Sequence, residues 1–172
     1  MVEKNLQSKF DEKVKELESE LPNRTRNVNC AELVLTSVLE VLNIDNYMFH
    51  NIAKPLGGGF GGYKAKNGWM GACGAVSGGC AAIGAIIGGQ KLMNEESMTK
   101  AYFNAVRYCS EFEKKFGTVV CSGLCGYDFS VPGEYMKYRE NGIWGTTCYK
   151  FVVWGVNKVR ELTQEDLKEK WK

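Results

Sequence analysis

Seven cysteines in a chain of 172 residues are the side chains with the most chemistry to offer. Their thiolates bind soft metals and exchange with disulfides. Seven is odd, so internal disulfides cannot pair them all. The amino-terminal stretch MVEKNLQSKFDEKVKEL is charged and lacks the apolar core of a secretory signal, which makes a reducing cytoplasm the expected compartment. There, clustered cysteines more often ligate metal or do redox chemistry than staple a fold.

Spacing separates the seven. Cys30 follows Asn29, Cys73 follows Gly71-Ala72, and Cys148 follows Thr146-Thr147, so each is expected at the start of a helix. A helix N-terminus carries about half a positive charge and unpaired N–H groups, which favour thiolate over thiol. Three such ends converging would make a pocket suited to a sulfur cluster or a reactive dithiol. Cys121 and Cys125 form a C-x-x-x-C pair, which places both sulfurs on one face of a helix. The paired C-x-x-C knuckles of a zinc ribbon, the ferredoxin run and the haem-attachment C-x-x-C-H are all missing, so spacing alone names no metal. Cys109 lies on an apolar helical stripe and reads as a small core hydrophobe. Cys80, seven residues after Cys73 on the same helix face, reads as packing or as support behind the site.

The elements that must position these residues read as helices. Leu6, Phe10, Val14, Leu17 and Leu21 repeat at a helical period with charged faces between, and Pro22 with the polar run to Asn29 ends that pattern. Asn29, with Glu32 three places on, caps a helix through Val34, Val38 and Leu42. His50 to Trp69 holds Pro55 and the run LGGGFGGYKAKNG, a loop needing backbone angles closed to other residues. A Gly/Ala-rich helix then begins near Cys73 and is expected at the centre of the fold. Met98, Ala101, Tyr102, Ala105, Cys109, Phe112 and Phe116 form a stripe from Asn94 to a C-terminal cap at Gly117. A last apolar helix runs from about Cys148 to Leu162, capped by Thr146 or Thr147. No sustained period-two alternation competes. The expected fold is all-α: one single-domain helical bundle around the Gly/Ala-rich helix, with few or no strands. It divides into an amphipathic helix over 1–22, a cysteine redox or metal domain over 28–162, and a charged C-terminal tail over 163–172.

Other signals are weaker. Met70 to Gly89 is 20 residues without a charge, but seven of them are Gly, so no membrane span is expected. With 22 Lys and Arg against 20 Asp and Glu, the net charge of +2 leaves no footprint for nucleic acid. Residues 57–62 spell G-x-G-x-x-G without the preceding strand that dinucleotide binding requires, and reads better as a cover over the cysteine pocket. His50 is the only histidine and cannot build a multi-histidine site. Trp69, Trp144 and Trp154, with the tyrosines of the 127–149 segment, are expected to fill the core and shield the cysteines from solvent.

The segments NCAELVL (29–35), GACGAVSG (71–78), EFEKKFGTVVCSGLCGYD (111–128) and a last cysteine at 148 resemble the C-GCAxxG-C-C family of redox-active proteins. The resemblance covers roughly residues 28 to 160 and singles out Cys30, Cys73, Cys121 and Cys148, with Cys125 as competitor to Cys121. It implies redox activity without a settled substrate, and a similar domain that accompanies haem in a bacterial cytochrome suggests an iron–sulfur cluster. Four separated thiolates suit a cluster better than a dithiol exchanger, which needs two. The expectation is an electron-transfer or oxidoreductase accessory protein with an iron–sulfur cluster on those four residues. A metal-free thiol–disulfide protein and a structural zinc module are the alternatives. The expected partner is a redox protein, with a second copy of the chain as a further candidate.

Overall fold

Helix α5 (Gly74–Gly88) is the spine onto which the other long helices pack in the computed structural model, which describes residues 6–171. Its glycines explain why. A Cβ on Gly78 would lie 2.4 Å from the carbonyl oxygen of Ala31, and one on Gly74 would lie 2.8 Å from the Ala31 nitrogen. Backbone therefore meets backbone where α2 (Cys30–Val41) crosses α5. On the next face a Cβ on Gly79 would overlap the Tyr108 ring at 2.3 Å. Tyr108 is fully buried and donates from its hydroxyl to the Ala75 carbonyl at 2.8 Å. It wedges α6 (Glu95–Phe116) against α5 and reaches toward Gly155 of α9 (Tyr149–Leu162).

Local signals set the ends of these helices. The Asn29 Oδ1 accepts from the N–H groups of Ala31 and Glu32 at 3.0 and 3.1 Å, opening α2. The Asn94 Oδ1 accepts from the Ser97 N–H at 2.9 Å, and Gly117, at φ 88°, closes α6 in the left-handed region. Helix α1 (Leu6–Glu20) buries Phe10 and Leu17 and packs against α9. The Trp144 indole N–H donates to the Leu21 carbonyl at 2.7 Å, fixing the turn after α1. The fold is all-helical. Among the described residues the extended pairing is limited to two isolated bridges, Lys64 with Met70 and Ala72 with Val120. Among the described residues no helix is long and apolar enough to cross a membrane.

Three regions differ in detail from the sequence reading. The expected loop from His50 contains the end of helix α3 (Tyr47–Ala53) and then α4 (Gly58–Gly62). All five residues of α4 have positive φ, from 56° to 85°, and the N–H groups of Gly61 and Tyr63 donate to the carbonyls four residues back. This is a left-handed helical turn. Its cost is about 1–2 kcal/mol per residue for side chains with a Cβ, and only Phe60 carries one. The charged segment after Leu162 is also helical, as α10 (Gln164–Lys170). Leu167 is buried, and the Trp171 indole N–H donates to the Ile86 carbonyl at 3.0 Å, satisfying the last turn of α5. Trp69 is 48% exposed and lies against Phe60 and Tyr63 rather than in the core.

Because Gly78 meets the backbone of Ala31, Gly78→Val must push α2 away from α5. We expect a loss of about 1–3 kcal/mol, read as a melting temperature lower by roughly 3–10 °C. An unchanged melting temperature would show that the two helices do not meet at this point.

Candidate functional site

Five of the seven cysteines wall one cavity of about 360 Å³: Cys30, Cys73, Cys121, Cys125 and Cys148. They come from four separate segments. The expected set is brought together, Cys125 joins it, and Cys80 and Cys109 lie outside.

Two backbone hydrogen bonds pin the middle of the site. The Cys73 N–H donates to the Val119 carbonyl at 2.7 Å, and the Cys121 N–H donates to the Gly71 carbonyl at 3.1 Å, on either side of the Ala72–Val120 bridge. Cys30 arrives on the first turn of α2 because Ala31 fits against Gly74 and Gly78. Asn29 then ties that turn to the far wall. While its oxygen caps α2, its Nδ2 donates to the Lys54 carbonyl at 2.9 Å, and Gly57 packs so closely that a Cβ there would meet the amide at 2.5 Å. Gly59 is pressed between the Gly71 carbonyl and Cys121, which a Cβ would meet at 3.0 and 3.1 Å. The left-handed turn thus covers the cavity with backbone.

Cys121 and Cys125 open and close the single-turn helix α7 (Cys121–Cys125). Cys148 does not start a helix. It ends a π-helical turn, Trp144–Cys148, that runs directly into α9, and neither threonine caps it. The Thr146 hydroxyl instead points back to the Gly142 carbonyl at 3.3 Å. Residues on both sides already have helical angles, so the N-terminal field expected at Cys148 is missing. An aromatic wall closes that side: Tyr138 lies edge-on to Phe129 and to Tyr127, at 5.2 and 5.9 Å between ring centres.

The sulfurs differ in protonation. Cys30 donates to Cys73, and that hydrogen bond, with burial and the charge on its neighbour, pushes the Cys30 thiol well above its usual range. The same bond, helped by the N–H groups of Ala75 and Val76 at the start of α5, holds Cys73 below it. Cys121 and Cys125 repeat the pattern: the bond between them raises Cys121 and draws Cys125 down to about 7. Burial pushes Cys148 up to about 12, opposed by a hydrogen bond from the Tyr138 hydroxyl. Lys54 is the charged side chain on the cavity wall. The arrangement is two hydrogen-bonded sulfur pairs, in each of which one thiol is lowered and its partner raised, and a fifth thiol that burial keeps protonated.

A comparison with family models adds a match over most of the chain. Residues 28–162 match the family model described as "Putative redox-active protein (C_GCAxxG_C_C)". The chain belongs to that family. No curated protein and no solved structure matches the chain. Cys30, Cys73, Cys121 and Cys148, the four singled out in the sequence, all line the cavity.

Among the described residues no group of three or more His, Cys, Asp or Glu side chains is drawn together around a single ion. The sulfurs instead spread over the wall of a space much larger than one ion or one water, which occupies about 30 Å³ of liquid volume. A donor set of thiols in a largely apolar chamber suits a soft, multi-atom inorganic group. Tyr138 lines the cavity, as expected for a tyrosine of the 127–149 segment, while the sequence missed the parts played by Asn29 as a strut and by the π turn. Only Asn29, through its capping signal, was open to being found.

Thiolate is the form that alkylates. At pH 7 about half of Cys125 is thiolate, against a trace of Cys148, whose thiol must reach pH about 12 to do the same. In the reduced, metal-free chain iodoacetamide should therefore modify Cys125 faster than Cys148 by on the order of a hundredfold or more, with the Cys125 rate rising through pH 7. Peptide mass spectrometry follows both. Equal rates would contradict the charge assignment.

Proposed function

We propose that the five-sulfur chamber holds an iron–sulfur cluster through Cys30, Cys73, Cys121 and Cys148, and that the protein transfers electrons through it to a redox partner. The observation that supports this reading is the convergence of thiols from four segments on one cavity of about 360 Å³. A bound cluster would supply one-electron chemistry without making or breaking bonds in the protein.

This chain's residues would do the remaining work. Cys73 and Cys125 offer sulfurs already drawn toward thiolate, while Cys30, Cys121 and Cys148 would give up protons on binding. The N–H groups of Ala75 and Val76 stabilise charge on the Cys73 sulfur, and hydrogen bonds of that kind tune reduction potential. Lys54 offsets negative charge at the wall, and the aromatic side excludes water.

Protein purified without oxygen should be brown, absorb broadly in the visible, and contain iron and acid-labile sulfide. Cys30→Ala, Cys73→Ala, Cys121→Ala and Cys148→Ala should each lose most of the iron, and Cys125→Ala should keep it. Colourless, iron-free protein after reconstitution would overturn the proposal. Retention by Cys121→Ala with loss by Cys125→Ala would exchange the two residues as ligands.

The hydrogen-bonded Cys30–Cys73 pair favours a second reading, metal-free thiol–disulfide exchange, because such chemistry uses one thiol lowered by its hydrogen bond to a second. Here metal-free protein would lose two thiols on mild oxidation, mapped to Cys30 and Cys73, and regain them on reduction.

A further inference from the structure

Cys80 on α5 and Cys109 on α6 face each other with their sulfurs 3.8 Å apart, and neither lines the chamber. Both are partly exposed. Both pack against the hydrophobic core, as their sequence positions imply, and each also faces a second sulfur. Their helices meet closely here because Gly79, next to Cys80, accepts the ring of Tyr108, next to Cys109. Sulfurs in van der Waals contact need only about 1.8 Å of approach to reach a bond of about 2.05 Å, and partial exposure gives a reagent access.

We propose that Cys80 and Cys109 form a second, reversible redox site, a dithiol that closes to a disulfide by exchange with small-molecule disulfides. The Cys109 sulfur attacks one sulfur of RS–SR, giving a Cys109–S–SR mixed disulfide and releasing RS⁻, which takes a proton from water. Cys80 then loses its proton to solvent, and its sulfur attacks that of Cys109, releasing the second RS⁻. One external disulfide is reduced to two thiols, and the protein pair is oxidised by two electrons. Excess thiol runs the sequence backward.

The direction of attack follows from local chemistry. The hydrogen bond from Cys80 draws Cys109 down to about 7, against burial and the charge of Glu113, and the same bond raises Cys80. Cys109 is therefore the nucleophile and Cys80 the resolving thiol, since a thiolate attacks best when its pKa is near ambient pH. The pair stands two turns along α5 from Cys73, and the buried Tyr108 lies between, its ring on Gly79 and its hydroxyl on the Ala75 carbonyl. The disulfide would close a loop of about 30 residues and stiffen the α5–α6 contact on which the chamber rests.

The test uses the full chain without oxygen, equilibrated in mixtures of reduced and oxidised glutathione, with remaining thiols trapped by N-ethylmaleimide. Tandem mass spectrometry of the tryptic peptides 67–91 and 108–114 should show a Cys80–Cys109 link that rises with one midpoint and reverses on reduction. In Cys80→Ser, Cys109 should carry glutathione instead. The double variant Cys80→Ser, Cys109→Ser should keep whatever iron and sulfide the unaltered chain holds, and because the Cys80–Cys109 link is read from thiols alone, its failure is distinct from failure of the cluster proposal. Maleimide on both residues at every poise, linkage of either to a chamber cysteine, or loss of iron from the double variant would each overturn the proposal.

Discussion

The site depends on the two hydrogen bonds that pin Gly71–Cys73 to Val119–Cys121. They are the extended pairing that holds cysteines together in an otherwise helical chain, and they join segments nearly fifty residues apart. Everything else is arranged around that clasp. The left-handed turn lies on Gly71, where a Cβ would meet the Gly59 carbonyl at 2.1 Å, so only a glycine lets the cover close. Helix α5 starts immediately beyond the clasp, and its first turn supplies amides to Cys73. Helix α7 starts at its other side and carries Cys121 and Cys125. Loss of the clasp would separate the two thiol pairs, since Cys30–Cys73 and Cys121–Cys125 are anchored on opposite strands of it.

Burial makes the sulfurs interdependent. Five thiolates in one small chamber would repel one another, and each would lose its hydration. Hydrogen bonding within each pair answers this by favouring charge on one sulfur over the other: Cys73, where N–H groups meet it, and Cys125, where a neighbouring thiol does. Cys148, beyond the N-terminal field of any helix, remains neutral. A cation or oxidised centre entering the chamber would draw out the remaining protons, so binding there should be coupled to proton release.

Much of this architecture was legible where the signal is local. Asn29 and Asn94 announce helix starts, Gly117 an end, and the glycine run a backbone of unusual angles, because each acts on its own few neighbours. The convergence of Cys30, Cys73, Cys121 and Cys148 came from family resemblance, since no spacing rule places residues over a hundred positions apart. Thr146-Thr147 misled because a threonine pair looks the same before a helix and inside one; only the helical angles of Ile143 to Cys148 distinguish them. Cys109 packs against the core as its stripe implies, but its neighbour was hidden for a related reason. A helical stripe says which face turns inward but not what stands opposite, and opposite it stands Cys80. Leu167 and Trp171 were hidden among charges, although together they seal the end of α5.

Helix α5 shows how the fold and the chemistry constrain each other. Five of its fifteen residues are glycine, and glycine disfavours a helix interior by about 0.5–1 kcal/mol relative to alanine. Alone it would be a poor helix. It persists because those same positions admit Ala31, the Tyr108 ring and Met93, so contacts from α2 and α6 offset what local propensity lacks. Those contacts are also what bring Cys30 to Cys73 and Cys109 to Cys80. Alanine at Gly74, Gly78 or Gly79 would improve the isolated helix and spoil both thiol pairs, since the added Cβ would sit 2.3 to 2.8 Å from its nearest neighbour at each position. Helix propensity has been given up along α5 in return for close approach, and the two places where approach is closest are the two places where sulfur meets sulfur.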